Sequence, residues 1–231
     1  MTGTFVNVGA ILLGTLVGTL IGHRLPAGVQ ERVMAGLGLV TTLLGVDLAL
    51  AWRDTNALYV MGGLLTGAVA GEFLGLERRL DSLGDRLQRR FAGGDGSTVS
   101  EAFVTSSLLY CIGPLAVVGA IQDGLTGDWS ALATKSLLDG FASVALAAAL
   151  GWGVALSAVA VLVVQGTFSL GAGLFDEVLE GEVLATLTST GGLLLIGIGL
   201  KLLALRDLKV GNFLPALLFA PVIAGVVEAI A

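Results

Sequence analysis

Residues 183–205 read VLATLTSTGGLLLIGIGLKLLAL, a stretch long enough to cross a lipid bilayer. About 20 apolar residues, each rising 1.5 Å along a helix, span the roughly 30 Å hydrocarbon core of a membrane. This stretch also contains hydroxyl side chains, the pair Gly191-Gly192 and, in its last turn, Lys201. Because polar groups are unfavourable next to lipid, we predict that this helix faces other helices or a polar path between them.

Composition places the chain among multi-span membrane proteins. Its 231 residues are 55% hydrophobic and 13% charged, with a mean hydropathy of +0.93, whereas a soluble domain has about 25% charged residues. The net charge of −6 gives no indication of nucleic-acid binding. One histidine, His23, and one cysteine, Cys111, argue against a histidine-rich metal site and an internal disulfide. We predict no cofactor, no metal and no enzymatic activity.

Apolar stretches predict about eight membrane-spanning helices, in an all-α bundle that forms a single integral membrane domain over residues 1–231. Gly113-Pro114 interrupts the fourth span, and proline removes a helix hydrogen bond, so we expect a kink or break there. The predicted spans are 5–22, 33–52, 57–76, 102–121, the two halves of 136–175 on either side of residues 151–153, 183–205 and 212–230.

Residues 77–99 form the one clearly soluble stretch. Leucines recur in it at helical spacing and arginines occupy the other positions, which predicts an amphipathic helix at the cytoplasmic membrane surface with its arginines toward anionic lipid headgroups. The sequence GGDGST then predicts a flexible tether. A plain anchor without a regulatory role is the simpler interpretation.

Glycines form two stripes with a spacing of four residues, a pattern known as a glycine zipper, which lets another helix approach closely. Packing within the chain is favoured over a dimer seam, although a homodimer through one stripe stays open. The stripes are Gly14, Gly18 and Gly22 in the first span and Gly63, Gly67, Gly71 and Gly75 in the third.

The distribution of positive charges predicts the orientation in the membrane. With eight spans, nine lysines and arginines fall in loops on one side and two fall on the other. Cytoplasmic loops are enriched in these residues, so both termini and the acidic loop 176–182 are expected outside the cytoplasm.

A weak internal repeat relates the first three spans to the last three. A shift of 154 residues aligns Gly38 with Gly192 and Gly45 with Gly199. The two copies would be inverted in the membrane, as in many secondary transporters. The matches are few and lie in apolar sequence, so chance is the competing explanation.

Several motifs in order along the chain carry a family resemblance: NVGAILLGTLVG, SSLLYCIGPLAVVGAIQDGL, KSLLDGFAS, VVQGTF, STGGLLLIGIGLKLL and KVGNFLPALLFAP. With these motifs the sequence resembles a family of prokaryotic inner-membrane proteins catalogued as domain of unknown function 554. The resemblance implies a multi-span protein without indicating a substrate. The positions to which it draws attention are Asn7, Gly113, Asp139, Gln165, Gly191, Gly192, Asn212 and Pro215.

Two polar side chains stand out within predicted spans. Asp139 follows Lys135 by four residues, so the two are neighbours on a helix. Asp139 is either a cation- or proton-binding carboxylate or half of a structural ion pair near the surface. Gln165, in mid-span, either joins helices or lines a path, because its amide needs partners in hydrocarbon.

The run from Thr188 to Gly192 offers a second candidate. It could unwind and expose carbonyls and hydroxyls to an ion, with Gly113-Pro114 as a facing break. The alternative is ordinary packing, in which each hydroxyl bonds the carbonyl one turn back. The predicted ion- or solute-binding residues are Asn7, Asp139, Gln165, Ser189, Thr190, Gly191, Gly192 and Asn212.

These features together predict a small secondary transporter or channel-like permease for a small ion or solute, with its route lined by the fourth to seventh spans. The other hypothesis is a non-transporting membrane scaffold or accessory subunit, in which polar residues and glycines serve packing alone. Membrane lipids are the other expected partners.

Overall fold

The computed structural model describes residues 1–91, 98–175 and 180–230. Over these ranges the regular structure is entirely helical, which confirms the all-α prediction. The α-helices are α1 (Thr2–Gly22), α2 (Ala27–Ala49), α3 (Ala57–Leu74), α4 (Leu76–Phe91), α5 (Val99–Cys111), α6 (Pro114–Thr126), α7 (Ser130–Leu150), α8 (Ser157–Leu170), α9 (Ala172–Phe175), α10 (Gly181–Leu202) and α11 (Ala216–Ile230). Short 3₁₀ turns occupy Leu50–Asp54, Trp152–Leu156 and Val210–Phe213.

Seven helical segments are long and apolar enough to cross a membrane within the described ranges. An eighth candidate is the pair α5 and α6, which are bent by 63° relative to each other. The break lies at Gly113, whose φ of +134° favours glycine, and Pro114 begins the second half. The predicted interruption of the fourth span is confirmed.

The helices form two compact units. Unit 1 comprises residues 1–37, 79–111 and 115–173. Unit 2 comprises residues 38–78, 112–114 and 174–231.

In unit 1, α1 and α7 lie side by side and run in the same direction. A Cβ atom at Gly3 would contact Leu132, and a Cβ atom at Gly22 would contact Ala148. Between them, Gly14 and Gly18 lie against the backbone of α7. The first glycine stripe therefore lets two helices of the same chain pack closely, and its glycines face α7.

In unit 2, α3 and α11 pack in opposite directions. Gly63 lies against Ala220 and Gly67 against Ala216, while Gly71 lies against the Val210–Phe213 turn. The second stripe also serves packing within the chain, as favoured by the sequence. A homodimer stays a prediction, but these stripes are not free to form its seam.

The directions of these helices indicate that the bent pair α5–α6 crosses the membrane once. Two helices that cross in the same direction are separated by an odd number of crossings. Between α1 and α7, the helices α2 and α3 account for two membrane crossings. An odd number is needed, so the bent pair accounts for the third. The antiparallel packing of α3 with α11 requires the same count independently. If each of the seven long apolar segments also crosses once, the total is eight, the predicted number of spans. The inverted repeat stays a prediction.

Within the stretch predicted to be amphipathic, a helix occupies Leu76–Phe91. In unit 1 its glycine Gly84 lies against Ser100, and the Gln88 side chain accepts a hydrogen bond from the Ser100 amide (3.1 Å). The arginines are exposed, as a headgroup contact requires, although the lipid contact itself stays a prediction. Residues 92–97, with most of the predicted tether, and residues 176–179 of the acidic loop lie outside the described residues.

Gly18→Val is expected to destabilise the protein, by about 1–3 kcal/mol, because overpacking forces tightly packed groups apart. A Cβ at position 18 would lie 2.9 Å from the Ala147 Cβ atom and closer still to the Val144 carbonyl oxygen. Gly9→Val is the matched control on the same helix, because nothing lies within 4 Å of a Cβ there. Thermal unfolding in detergent measures both, and equal melting temperatures would contradict the α1–α7 contact.

Candidate functional site

A buried polar cluster joins α1 to α7 in unit 1. The Lys135 ammonium group lies 2.5 Å from Asp139 Oδ2. The Asn7 side-chain amide donates a hydrogen bond of 2.9 Å to the same oxygen. Lys135 and Asp139 are each 6% exposed and Asn7 is fully buried. The structure thus brings together two of the predicted site residues, Asn7 and Asp139.

Local geometry explains this cluster. Lys135 and Asp139 are one helical turn apart, which puts their side chains on one face of α7. Gly140, the next residue, lies against Ala10, and Gly14 lies against Gly140. The two helices approach closely because these glycines have no side chains, so the short Asn7 side chain reaches the carboxylate. The ion pair was considered as a feature near the surface, but it is buried.

The cluster leaves some of its polar atoms without partners. Both donors bond Oδ2 of Asp139, and Oδ1 accepts no hydrogen bond from any described residue. The Asn7 carbonyl oxygen is buried and has no partner within the described ranges. The second carboxylate oxygen of Asp139 and the amide oxygen of Asn7 therefore remain available as hydrogen-bond acceptors beside the Lys135 ammonium group.

Gln165 on α8 is the second buried polar side chain of unit 1. It is 1% exposed, and neither its amide nitrogen nor its amide oxygen has a partner among the described residues. A Cβ on the adjacent Gly166 would lie 3.4 Å from the Met1 side chain. Gln165 is therefore at the level of the first turn of α1, and it does not join helices through a hydrogen bond to the described part of the protein.

Unpartnered hydroxyl groups accompany these residues. Helical serines and threonines can bond the carbonyl one turn back, as Ser106 and Ser136 do. Other buried hydroxyls of unit 1 have no described partner: Thr4, Thr15, Thr19, Thr105, Ser107 and Ser169. On α1 alone, residues 4 to 19 cover about 22 Å at 1.5 Å per residue, which is most of the depth of a bilayer core.

Asp123 is a further buried carboxylate of unit 1. The amide of Gly3 donates to its Oδ2 (3.0 Å), and the nitrogen of Met1 lies 3.1 Å from Oδ1. The fourth span was predicted to end at residue 121, before Asp123, whereas α6 extends to Thr126. Asp123 ties the first turn of α1 to α6.

Of the two alternatives for Thr188 to Gly192, the structure shows ordinary packing, because α10 is an unbroken helix over Gly181–Leu202. The hydroxyl of Thr190 donates to the Thr186 carbonyl (2.8 Å), and that of Ser189 donates to the Ala49 carbonyl (3.1 Å). Backbone groups satisfy both hydroxyls, so the helix gains nothing by opening. Solute contact by these residues stays a prediction.

The paired glycines of α10 also serve packing in unit 2. A Cβ on Gly192 would meet the backbone of Gly45 and Ala49. Gly191 faces Gly113, with a Cβ-to-Cα distance of 3.5 Å. The break at Gly113 thus faces Gly191 but not Gly192, and α10 itself stays helical.

Asn212 joins three segments of unit 2. Its amide nitrogen donates to Glu72 Oε2 (2.6 Å), and its amide oxygen accepts from the backbone N–H of Glu77 (2.8 Å). The Glu77 carboxylate in turn accepts from the Gly211 amide (2.7 Å). These bonds hold the Val210–Phe213 turn against the junction of α3 and α4. Asn212 therefore has a structural position in unit 2, and its predicted solute contact is untested.

Comparison with known proteins gives the family. The model of a protein family described as a protein of unknown function, DUF554, matches residues 2–225. The chain belongs to the DUF554 family. It is 31% identical to the uncharacterized protein YqgA of Escherichia coli (strain K12) over 222 residues, covering 94% of each chain. It is 29% identical to the uncharacterized membrane protein YdfK of Bacillus subtilis (strain 168) over 232 residues, covering 99% of this chain and 98% of the relative. No solved structure matches the chain.

The DUF554 chain offers no cluster of three or more histidine, cysteine, aspartate or glutamate side chains that can hold a metal ion, as far as residues 1–91, 98–175 and 180–230 show. Sequence reasoning missed the unpartnered hydroxyls of Thr15 and Thr105. Their helical positions gave a signal, since Thr15 lies two turns after Asn7 on the same face of α1. What the sequence does not encode locally is whether such a hydroxyl bonds its own helix.

Proposed function

We propose that this DUF554 protein is a small secondary transporter or permease whose solute route lies within unit 1. One observation carries the proposal. Every fully buried side-chain nitrogen or oxygen without a partner, among the residues that the structure describes, belongs to unit 1. Apart from Asp123 Oδ1, which lies 3.1 Å from the Met1 nitrogen, these atoms lie on α1, α5 and α8, and the Lys135–Asp139 pair on α7 accompanies them.

Energetics support a hydrated or solute-filled interior. An unpartnered polar group in an apolar medium costs several kcal/mol. Gln165 alone has an amide nitrogen and an amide oxygen in this condition. Water or a polar solute in unit 1 would satisfy such groups, whereas a dry interior would leave them all unpaired.

The proposed route differs from the one that the sequence predicted. The earlier route included the seventh span through Ser189 and Thr190, whose hydroxyls bond backbone carbonyls. Asn7 was the one predicted binding residue in the first span, and Thr4 and Thr15 also have unpartnered atoms there. The route proposed from the geometry follows α1, α5, α7 and α8 of unit 1.

A non-transporting scaffold is the second candidate. The hydrogen bond from Asn7 to Asp139 favours it, because this contact crosslinks α1 and α7 as a structural pair would. A scaffold gives no reason for Gln165 and the α1 hydroxyls to lack partners. Access of water to unit 1 therefore separates the two candidates.

Cysteine labelling tests the route without knowledge of the solute. In a Cys111→Ser background, Thr15→Cys in intact membranes is expected to react with a small water-soluble thiol reagent, because the route is hydrated. Leu13→Cys is the control, since Leu13 is 66% exposed on the outside of α1 and faces lipid. Ser189→Cys tests unit 2 and is expected to stay unmodified. An unreactive Thr15→Cys would refute the route.

The membrane and its orientation are part of the proposal. The proposed location is a prokaryotic cytoplasmic membrane. We propose that the loops with nine lysines and arginines lie on the cytoplasmic side and the loops with two lie on the other. Both termini are then outside the cytoplasm. Lys135 lies near the start of α7 and Asn7 near the start of α1. This orientation puts the cluster in the outer half of the membrane, open first to the outside.

A further inference from the structure

The buried cluster of unit 1 carries equal and opposite charges. Lys135 contributes one positive charge and Asp139 one negative charge, with their atoms 2.5 Å apart. Asn7 and Gln165, two other buried side chains of unit 1, are neutral amides. The remaining buried carboxylate of the described unit, Asp123, has the Met1 nitrogen 3.1 Å away. A solute that added a net charge here would place an uncompensated charge in a low-dielectric interior, which is strongly unfavourable.

The unpartnered atoms include both donors and acceptors. The amide nitrogen of Gln165 is a donor, while the amide oxygens of Gln165 and Asn7 are acceptors. A bare cation uses only acceptors and leaves the Gln165 N–H groups unpaired. A bare anion uses only donors and leaves both amide oxygens unpaired. The site therefore fits a molecule that carries donors and acceptors together.

Resting on the proposed function, we propose that the solute is a small zwitterion with an ammonium group and a carboxylate, such as an α-amino acid. Its ammonium group binds Asp139 Oδ1 and the Asn7 amide oxygen, which accept no other described hydrogen bond. Its carboxylate binds the N–H groups of Lys135 that do not donate to Asp139. Gln165 contacts the polar remainder of the solute.

This exchange keeps every charge paired. When the zwitterion enters, the Lys135–Asp139 pair separates, and each member gains a partner of opposite charge from the solute. When the solute leaves, the internal pair forms again, so the empty site is not left with a buried isolated charge. Between transport cycles, Lys135 and Asp139 neutralise each other in place of the solute. The exchange between the internal ion pair and the solute needs no proton or metal ion.

A melting screen of the purified full chain tests the solute class, since a ligand that binds only the folded state raises the melting temperature. Glycine, L-alanine, L-serine, L-glutamine and glycine betaine are the zwitterionic probes. Methylammonium chloride, sodium acetate, sodium chloride and potassium chloride are the singly charged controls. At least one zwitterion is expected to raise the melting temperature by about 3 °C at ten times its Kd, and the controls leave it unchanged. A shift by a control alone, or by no probe, would overturn the assignment.

The double variant Lys135→Met/Asp139→Asn keeps the net charge and removes both ionic contacts. This variant is expected to lose the rise in melting temperature that the zwitterion causes. The control is Thr66→Val in unit 2, which is expected to keep that rise in full, because the exposed Thr66 hydroxyl bonds only its own helix. An unchanged shift in the double variant would remove the pair from the binding site. Thiol labelling at position 15 is read in parallel. Labelling without a zwitterion response rejects the solute class and keeps the route, whereas absent labelling rejects the route itself.

Discussion

Asp139→Asn is expected to abolish solute flux in proteoliposomes and also to destabilise the protein by about 3–5 kcal/mol. The reason for the second effect is Lys135, which is buried and has Asp139 as its ion-pair partner at 2.5 Å. Removing one member of a buried pair leaves the other charge uncompensated. Loss of flux in this single variant therefore cannot be attributed to the missing carboxylate alone.

The double variant Lys135→Met/Asp139→Asn separates the two effects. Replacing both members of a buried ion pair by neutral groups is often close to neutral for stability, and the substituted amide can still accept the hydrogen bond that Asn7 donates. We expect stability within about 1 kcal/mol of the parent chain and flux near zero. A double variant that folds and transports at the parental rate would show that the ion pair is structural only.

The ion pair also shows what the sequence could and could not predict. The spacing of Lys135 and Asp139 placed them on one helical face, and the bilayer argument required a partner for the acid. Asn7 was predicted to bind an ion or solute, but its contact with Asp139 was not predicted, because nothing local states which helix will lie beside α1. The glycines Gly14 and Gly140 decide it, since they let α1 and α7 approach, and this long-range pairing is absent from the linear pattern.

The hydroxyl-rich stretch over residues 183–205 shows the opposite case. Thr190 and Ser189 looked functional because polar groups in a span need partners. The backbone carbonyls of Thr186 and Ala49 supply those partners, so the most polar span belongs to the paired interior of unit 2. Composition identifies polar spans, but only the packing shows which polar atoms stay unpaired.

Gln165→Leu is the second variant with a large expected effect on solute flux. Flux is expected to fall in this variant, whereas stability is not. The Gln165 amide has no partner among the described residues and is 1% exposed. Replacing an unpaired buried polar group by an apolar group of similar size is neutral or stabilising. We therefore expect an unchanged or higher melting temperature together with a loss of flux of at least about tenfold, which corresponds to about 1.4 kcal/mol.

The control for this substitution lies on the same helix. Thr167→Val removes a hydroxyl that is exposed toward lipid and bonds only the Val163 carbonyl (2.7 Å), so flux is expected to be unchanged. If Gln165 instead held helices together, Gln165→Leu would lower the melting temperature. A lower melting temperature with normal flux would assign Gln165 to packing and would remove the strongest support for a hydrated route in unit 1. A Gln165→Leu variant that is stable but has no flux would contradict the scaffold hypothesis, because a scaffold would not require an unpaired amide in its interior.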